Sequence, residues 1–177
     1  MGNPSMIKLA GLLVTLCLFL SGCAGYAGSR LQPGVSGRTE VLAEMGEPAM
    51  HWKNGDGSEQ LAYPRGPQGT HTYMVFIGPD GRLQRIESVL DVSHFARIVA
   101  GKSDQAAVLR LLGPPVPDWT VYFKARDELV WEWLFCDDFS RLARFNVLFD
   151  GTTGLVRTTM QRPDLRGWDG IAPFCGR

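Results

Sequence analysis

The side chains best suited to catalysis or metal binding are scattered through this sequence. His51, His71 and His94 stand far apart, and none has a second His or a Cys at the spacing of a metal site. Asp137 and Asp138 follow an apolar run, where neighbouring carboxylates are more typical of a solvated turn than of an acid–base pair. The sequence has no Gly-x-Ser-x-Gly elbow and no phosphate-binding glycine loop. We therefore expect the histidines at the surface or in helix caps, no cofactor, and no enzymatic activity.

One of the four cysteines, Cys23, follows a segment with the sequence pattern of a signal peptide. Lys8 precedes an apolar run of 12 residues, 9–20, which is shorter than the roughly 20 residues that a membrane-spanning helix needs. The next residues, Leu-Ser-Gly-Cys23, resemble the bacterial lipobox, in which the cysteine is lipidated and becomes the first residue. We predict a lipoprotein signal peptide over residues 1–22 and lipidation of Cys23. The alternative is an ordinary signal peptide followed by a chance cysteine.

Lipidation of Cys23 would hold the mature chain on a membrane, because two or more acyl chains anchor a protein stably. Ala24, by resemblance to lipoprotein sorting signals, permits transfer to the outer membrane. We therefore expect the chain at the periplasmic face of the outer membrane. Residues 23–33 have the small, flexible composition of a tether between the lipid and the first folded unit.

The charge composition indicates no nucleic-acid partner. The chain has 18 Lys and Arg against 18 Asp and Glu, and loss of residues 1–22 removes one Lys and no acid, leaving a formal charge of −1. Proteins that bind nucleic acid usually carry a basic excess. We expect partners among membrane lipids and envelope proteins instead.

Cys136 and Cys175 are the two cysteines left outside the N-terminal region. In an oxidising compartment they are candidates for a disulfide that closes a loop of about 40 residues, and two free thiols are the alternative. The bond would restrain the Gly- and Pro-rich tail, residues 163–177, which we would otherwise expect to be mobile.

A repeated segment dominates the rest of the chain. Residues 34–48 and 101–115 share the pattern Gly-x-Ser-x4-Val-Leu-x2-(Met/Leu)-Gly-x-Pro, and six of their fifteen positions are identical. Ser36 and Ser103 are candidate N-caps, and Gly46 and Gly113 suit a helix end. The pattern predicts short amphipathic helices over residues 36–45 and 103–112.

This motif resembles the helix signature of the BamE (SmpA/OmlA) family of outer-membrane lipoproteins. The resemblance covers most of residues 31–160, in two copies, whereas ordinary members of that family carry one copy. Tandem copies of a related unit also occur in beta-lactamase inhibitor proteins, which the chain resembles in architecture only. The resemblance implies an accessory role in outer-membrane protein assembly, and no partner-contacting residue can be carried over from the matched motif.

The pattern of strands predicts an α+β protein. Strands are expected over residues 60–63, 72–77 and 82–90, and again over 128–135, 144–149 and 155–160. Each copy, residues 34–90 and 91–162, would be a helix–helix–three-stranded antiparallel sheet. The first copy has lost its leading helix, for which the second copy has residues 91–100. One copy of about 65 residues buries too little surface alone, so we expect both to pack as one two-layer unit.

Aromatic residues are concentrated in the second copy: Trp119, Tyr122, Phe123, Trp131, Trp133 and Phe135. Alternation along a strand favours Trp131 and Trp133 as core residues. Trp119, Tyr122 and Phe123 are candidates for a partner-binding surface, because Trp and Tyr dominate protein interfaces.

We expect a non-catalytic binding or scaffold lipoprotein that serves outer-membrane assembly or envelope integrity, with the beta-barrel assembly machinery as the partner that the resemblance implies. Two alternatives stay open. One is a protein inhibitor of a periplasmic enzyme. The other is an envelope carrier of lipid or a small ligand, which would need an apolar pocket between the copies.

Overall fold

A computed structural model describes residues 28–65, 69–165 and 173–175. Within these ranges, the first half has the helix α1 (Arg38–Met45) and four strands. These are β1 (Met50–Lys53), β2 (Glu59–Arg65), β3 (His71–Ile77) and β4 (Leu83–Ser88). They form an antiparallel sheet in the order β1-β2-β3-β4.

The second half repeats this arrangement behind two helices, α2 (Val92–Phe95) and α3 (Gln105–Leu112). Its strands are β5 (Val121–Phe123), β6 (Glu128–Cys136), β7 (Leu142–Asp150) and β8 (Val156–Pro163). They form a second antiparallel sheet in the order β5-β6-β7-β8. A short 3-10 helix stands on each side of β5, at Pro117–Trp119 and Lys124–Arg126.

The α+β class is confirmed, whereas the predicted helix–helix–three-strand layout is wrong. Each half has a fourth strand, β1 or β5, in a stretch where no strand was predicted. The strands form two separate four-stranded sheets. Pro64 also lies inside β2 instead of ending it. It is tolerated because β1 reaches only as far as Ala62, so β2 has no neighbour on that side at Pro64.

Equivalent backbone hydrogen bonds hold the start of each repeated segment. The N–H of Gly34 donates to the carbonyl of Leu83 at 2.7 Å, and the N–H of Gly101 donates to that of Val156 at 2.8 Å. The matching bonds from Leu83 to Ser36 and from Val156 to Ser103 are 2.8 and 2.9 Å long. The segment before each helix is therefore tied to the last strand of its own sheet.

The helix caps differ from the prediction in one respect. The N-caps are Gly37 and Asp104, each one residue after the predicted serine. The hydroxyls of Ser36 and Ser103 instead accept backbone N–H groups four residues earlier, both at 3.0 Å, and so close the preceding turn.

The glycines at the helix ends are confirmed. Gly46 and Gly113 have φ values of 77° and 76°, a region that residues with a side chain rarely adopt.

The halves stack with α3 between the two sheets. One face of the first sheet packs on Val41 and Met45 of α1. Its other face meets α3, where the Gln60 side chain donates to the carbonyl of Arg110. The opposite side of α3 contributes Val108 and Leu112 to the core of the second sheet. The order α1, first sheet, α2 and α3, second sheet replaces the predicted two-layer unit.

The described part of the predicted tether packs against the first half. Gly28 is buried, Leu31 contacts the first core, and the Arg30 Nε donates to Glu44 at 2.8 Å. Residues 28–33 are therefore part of the folded unit, since an apolar side chain and an ion pair both fix them. Residues 23–27 and the predicted signal peptide lie outside the described residues.

Candidate functional site

The second sheet turns one face towards the helices and the other outward. Trp131 and Trp133 lie on the inner face and are 9% and 1% exposed, which confirms them as core residues. Phe145 and Phe149 of β7 join them there. The outer face therefore carries the intervening residues of β6 and β7, because side chains alternate along a strand.

The three candidate partner-binding residues do not share one surface. Val121 pairs with Val130 and Phe123 with Glu128, so both point to the outer face. Tyr122 pairs with Leu129 and points to the opposite face. Trp119 is half-buried and lines the outer face with Phe123. The structure thus brings Trp119 and Phe123 together and separates Tyr122 from them.

A groove of about 400 Å³ runs along this outer face. Phe123 and Met160 at its sides are 41% and 49% exposed. The apolar lining residues are Trp119, Val121, Phe123, Val130, Leu148 and Met160. Such a half-exposed aromatic wall is typical of surfaces that bind other proteins.

The floor of the groove is polar and buried, and it was missed by the sequence analysis. Glu132 is only 4% exposed. Its carboxylate accepts hydrogen bonds from Arg144, from Asn146 Nδ2 at 2.7 Å and from Arg162 Nη2 at 2.9 Å. The Arg144 Nε also donates to Asp164 at 3.1 Å. Two acids and two arginines neutralise each other here, which the buried Glu132, Arg144 and Asp164 require because an unpaired buried charge is strongly unfavourable.

Arg144 joins this floor to the aromatic wall. Its guanidinium carbon stands 4.2 Å from the centre of the Trp119 ring, which places the cation over the aromatic face. Because hydrogen bonds to Glu132 and Asp164 hold Arg144 in place, the contact fixes Trp119 against the groove.

Asn146 leaves one hydrogen-bonding atom without a partner. The Glu132 carboxylate only accepts hydrogen bonds, so the nitrogen of the Asn146 amide must face it. The remaining atom, Oδ1, is buried and has no partner within the described residues. Such an acceptor is unfavourable by about 1–3 kcal/mol.

The end of β5 is fastened by a second polar cluster. The Tyr122 hydroxyl donates to Asp127 Oδ1 at 2.6 Å, and this hydrogen bond raises the pKa of Tyr122. The Thr152 hydroxyl donates to Asp127 Oδ2 at 2.6 Å and, with Tyr122, holds the pKa of Asp127 below its usual value. Tyr122 therefore positions β5 rather than lining the groove.

The adjacent turn is held by Asp150. The backbone N–H of Thr153 donates to its carboxylate at 2.7 Å, and Arg157 donates at 2.6 Å. These donors lower the pKa of Asp150 to about 2. Arg157 also donates to the carbonyl of Arg126 at 2.8 Å, which links this turn to the residues just after β5.

Cys136 and Cys175 form a disulfide in the structure, with their Cα atoms 6.0 Å apart. The N–H of Leu142 donates to the carbonyl of Pro173 at 2.7 Å, and that of Cys175 to Ser140 at 2.8 Å. The described end of the tail is therefore attached to the β6–β7 loop.

A second cleft, also of about 400 Å³, lies between the first sheet and helices α2 and α3. Phe76, Val89 and Leu111 supply apolar walls, and Arg85 and Arg97 are among its charged lining residues. It lies between the two halves, and its lining is mixed rather than apolar.

The residues examined first for chemistry have local partners. His51 Nε2 is 2.7 Å from Glu59, and His71 Nδ1 is 3.1 Å from the Thr70 hydroxyl. His94 lies in the first turn of α2, 2.9 Å from its N-cap, Asp91. In the described ranges, no three His, Cys, Asp or Glu side chains come together as metal ligands would.

Asp137 closes a turn, as predicted, by accepting the N–H groups of Phe139 and Arg141 at 2.9 and 2.8 Å.

Cys23 lies outside the described residues. Within residues 28–65, 69–165 and 173–175, no helix has the length and apolar character needed to cross a membrane. Comparison with protein-family models, curated proteins and solved structures finds no match to this chain.

Proposed function

We propose that the chain is a lipid-anchored, non-catalytic binding protein at the periplasmic face of the outer membrane, and that the groove of the second sheet is its protein-binding surface. The observation that supports this most directly is the half-exposed aromatic wall above a buried floor whose charges are already neutralised. Partner side chains meet apolar surface there without having to compensate a buried charge.

The pre-formed floor favours binding for a second reason. Glu132 and Arg144 are held by each other and by Asn146 and Asp164, so little side-chain freedom remains to be lost on association. Ordering side chains at an interface costs about 0.5–1.5 kcal/mol for each flexible one. A floor that is already fixed reduces that cost.

The anchor and the partner class rest on the sequence. The Leu-Ser-Gly-Cys23 motif supports attachment through lipid, and the resemblance to BamE supports a role beside the beta-barrel assembly machinery. Acting as a scaffold for outer-membrane assembly is therefore the proposed task, with the groove as the contact.

The test is a pull-down of tagged full-length protein from detergent-solubilised membranes, with bound proteins identified by mass spectrometry. Trp119→Ala and Phe123→Ala should each lower recovery of the barrel-assembly components at least tenfold. Phe139→Ala is the matched control, because Phe139 is 78% exposed and does not line the groove. Equal recovery with all three variants would contradict the assignment of the surface.

The inhibitor alternative uses the same groove and differs in its partner. It predicts a 1:1 complex with a soluble periplasmic enzyme that survives Cys23→Ser, whereas the scaffold role requires the anchor. Complementation of a deletion strain by the Cys23→Ser protein distinguishes the two.

The carrier alternative has one observation of its own, the cleft between the halves. It predicts a molecule that co-purifies with the full-length protein and is lost when Ala107→Trp fills the cleft. Denaturation and mass spectrometry of the released fraction would detect such a molecule.

A further inference from the structure

The cleft between the two halves has a buried floor. Its lining residues Gln60, Val89 and Val108 are all buried. The Gln60 side chain donates to the carbonyl of Arg110, which fastens α3 to the first sheet at the cleft. The volume of about 400 Å³ lies within the range of about 300–1,000 Å³ that is typical of small-molecule sites.

Two helical segments each place an arginine beside an apolar side chain on the wall of the cleft. One segment is α2 with the turn that follows it, and the other is α3. Residues three and four apart share one face of a helix, and the lining residues on both segments have this spacing. They are His94, Arg97 and Ile98 on the first segment, and Ala107, Arg110 and Leu111 on the second.

Some of the charged groups around the cleft already neutralise each other. Glu87 is an acid that lines it, and Arg85 Nε donates to that carboxylate at 2.6 Å. The guanidinium carbon of Arg85 also stands 3.6 Å from the centre of the Phe76 ring. His94 Nδ1 is 2.9 Å from Asp91. These groups need no charge from a ligand.

Arg97 and Arg110 leave an excess of positive charge. Both are exposed, and within the described ranges neither has an acid at ion-pair distance. Arg110 Nη2 donates instead to the uncharged Asn54 Oδ1 at 2.7 Å. The lining therefore has three arginines against one glutamate, a formal excess of two positive charges. Guanidinium groups bind carboxylates strongly, because two parallel hydrogen bonds can form.

We propose that this cleft binds a small organic acid, whose carboxylate is held by Arg97 and Arg110. The apolar part of the acid packs on Phe76, Ile98 and Leu111. A wholly apolar ligand would leave both arginines without an anion, and a bare inorganic anion would leave the apolar wall uncovered. The mixed lining thus selects a molecule that has both parts.

This proposal names a ligand class for the carrier alternative. The helices and the second sheet separate the cleft from the groove, since the groove is on the outer face of that sheet. Binding of the acid therefore depends neither on a protein partner in the groove nor on the lipid anchor, and each can fail without the other.

Phenylbutyrate and its neutral amide, phenylbutyramide, are matched probes, because they share an apolar group and differ in charge. Calorimetric titration of full-length protein in lipid nanodiscs, with empty nanodiscs as the blank, measures both affinities at pH 7. The acid should bind saturably and at least tenfold more tightly than the amide. Absence of saturable binding by the acid, or equal affinities for the two probes, overturns the proposal.

Variants place the acid within the molecule. Arg97→Gln and Arg110→Gln should each weaken binding of the acid at least fivefold, and Ala107→Trp should abolish it. Lys124→Gln is the matched control, because it removes one exposed positive charge that does not line the cleft. Thermal unfolding first establishes that the variants are folded, and the two arginines are exposed, so their replacement tests the site even where the tryptophan does not fit.

Two outcomes of this series would overturn the proposal. Equal weakening by Lys124→Gln and by the arginine variants would mean that only the net charge of the protein attracts the acid. Weakening by Trp119→Ala, with unchanged binding in the arginine variants, would place the acid in the groove.

Discussion

Loss of the Glu132 carboxylate is the sharpest test of the polar floor. Glu132→Ala removes three hydrogen bonds and leaves Arg144, which is 7% exposed, with Asp164 as its remaining acid. Breaking a buried ion pair costs about 3–5 kcal/mol. Arg162 is half exposed and can turn to water, so we expect the lower end, about 3 kcal/mol.

Urea unfolding of the purified protein, followed by tryptophan fluorescence, measures this loss. Glu128→Ala is the matched control on the same strand, because its partner Arg126 is 61% exposed and such surface pairs contribute about 0–1 kcal/mol. Combining Glu132→Ala with Arg144→Ala should give a coupling energy of about 1–3 kcal/mol. A Glu132→Ala loss no larger than that of the control, or a coupling near zero, would refute the account of the floor.

Three further predictions concern stability. Gly113→Ala should lower the free energy of unfolding in urea by about 1 kcal/mol more than Gly46→Ala does. Both glycines have a positive φ, so the backbone strain is similar. An added Cβ at Gly113 would lie 2.8 Å from Thr72 Cγ2, whereas one at Gly46 would meet nothing within 4 Å. Equal losses would argue against the close approach of α3 to the first sheet. Cys136→Ser should lower the free energy of unfolding by about 3–4 kcal/mol, the chain-entropy contribution of a 39-residue separation, and reductant should affect only the unmodified protein. The lowered pKa of Asp150 means that its stabilisation is present above its unfolded pKa near 4 and is lost as the pH falls through about 2. The free energy of unfolding should therefore fall between pH 5 and pH 2, and Asp150→Asn should reduce that fall. A fall of the same size in the variant would contradict the prediction.

The repeat made the helices and the turn glycines predictable. Val41 and Met45, like Val108 and Leu112, recur at helical spacing, and both copies mark the helix end with glycine. The serine caps failed because a hydroxyl can accept from the preceding turn as well as from the helix. The N-caps are instead the residues that follow the serines, Gly37 and Asp104.

The strands β1 and β5 were missed because they are only four and three residues long. Such edge strands are too short to show a period of two, and Pro117 and Gly55 nearby are typical of loops. Treating Trp119, Tyr122 and Phe123 as one aromatic group also ignored strand alternation, which turns Tyr122 away.

The polar floor could not be predicted without knowing the register in which β6, β7 and β8 pair. Glu132 interrupts an apolar strand, and that was its only signal in the sequence. Its partners Arg144, Asn146 and Arg162 lie on two later strands, and they meet it because Asn146 stands opposite Glu132, and Arg144 opposite Arg162. No local pattern specifies that alignment.

Photocross-linking in intact cells tests the protein-binding groove most directly. A photoreactive phenylalanine analogue at position 123 faces the groove, and the same analogue at position 139 gives an exposed control outside it. The account predicts cross-links from position 123 to an envelope protein, at least tenfold stronger than from position 139 and abolished by Trp119→Ala. Equal cross-linking at both positions, or none at position 123, would contradict the groove as a protein-binding surface.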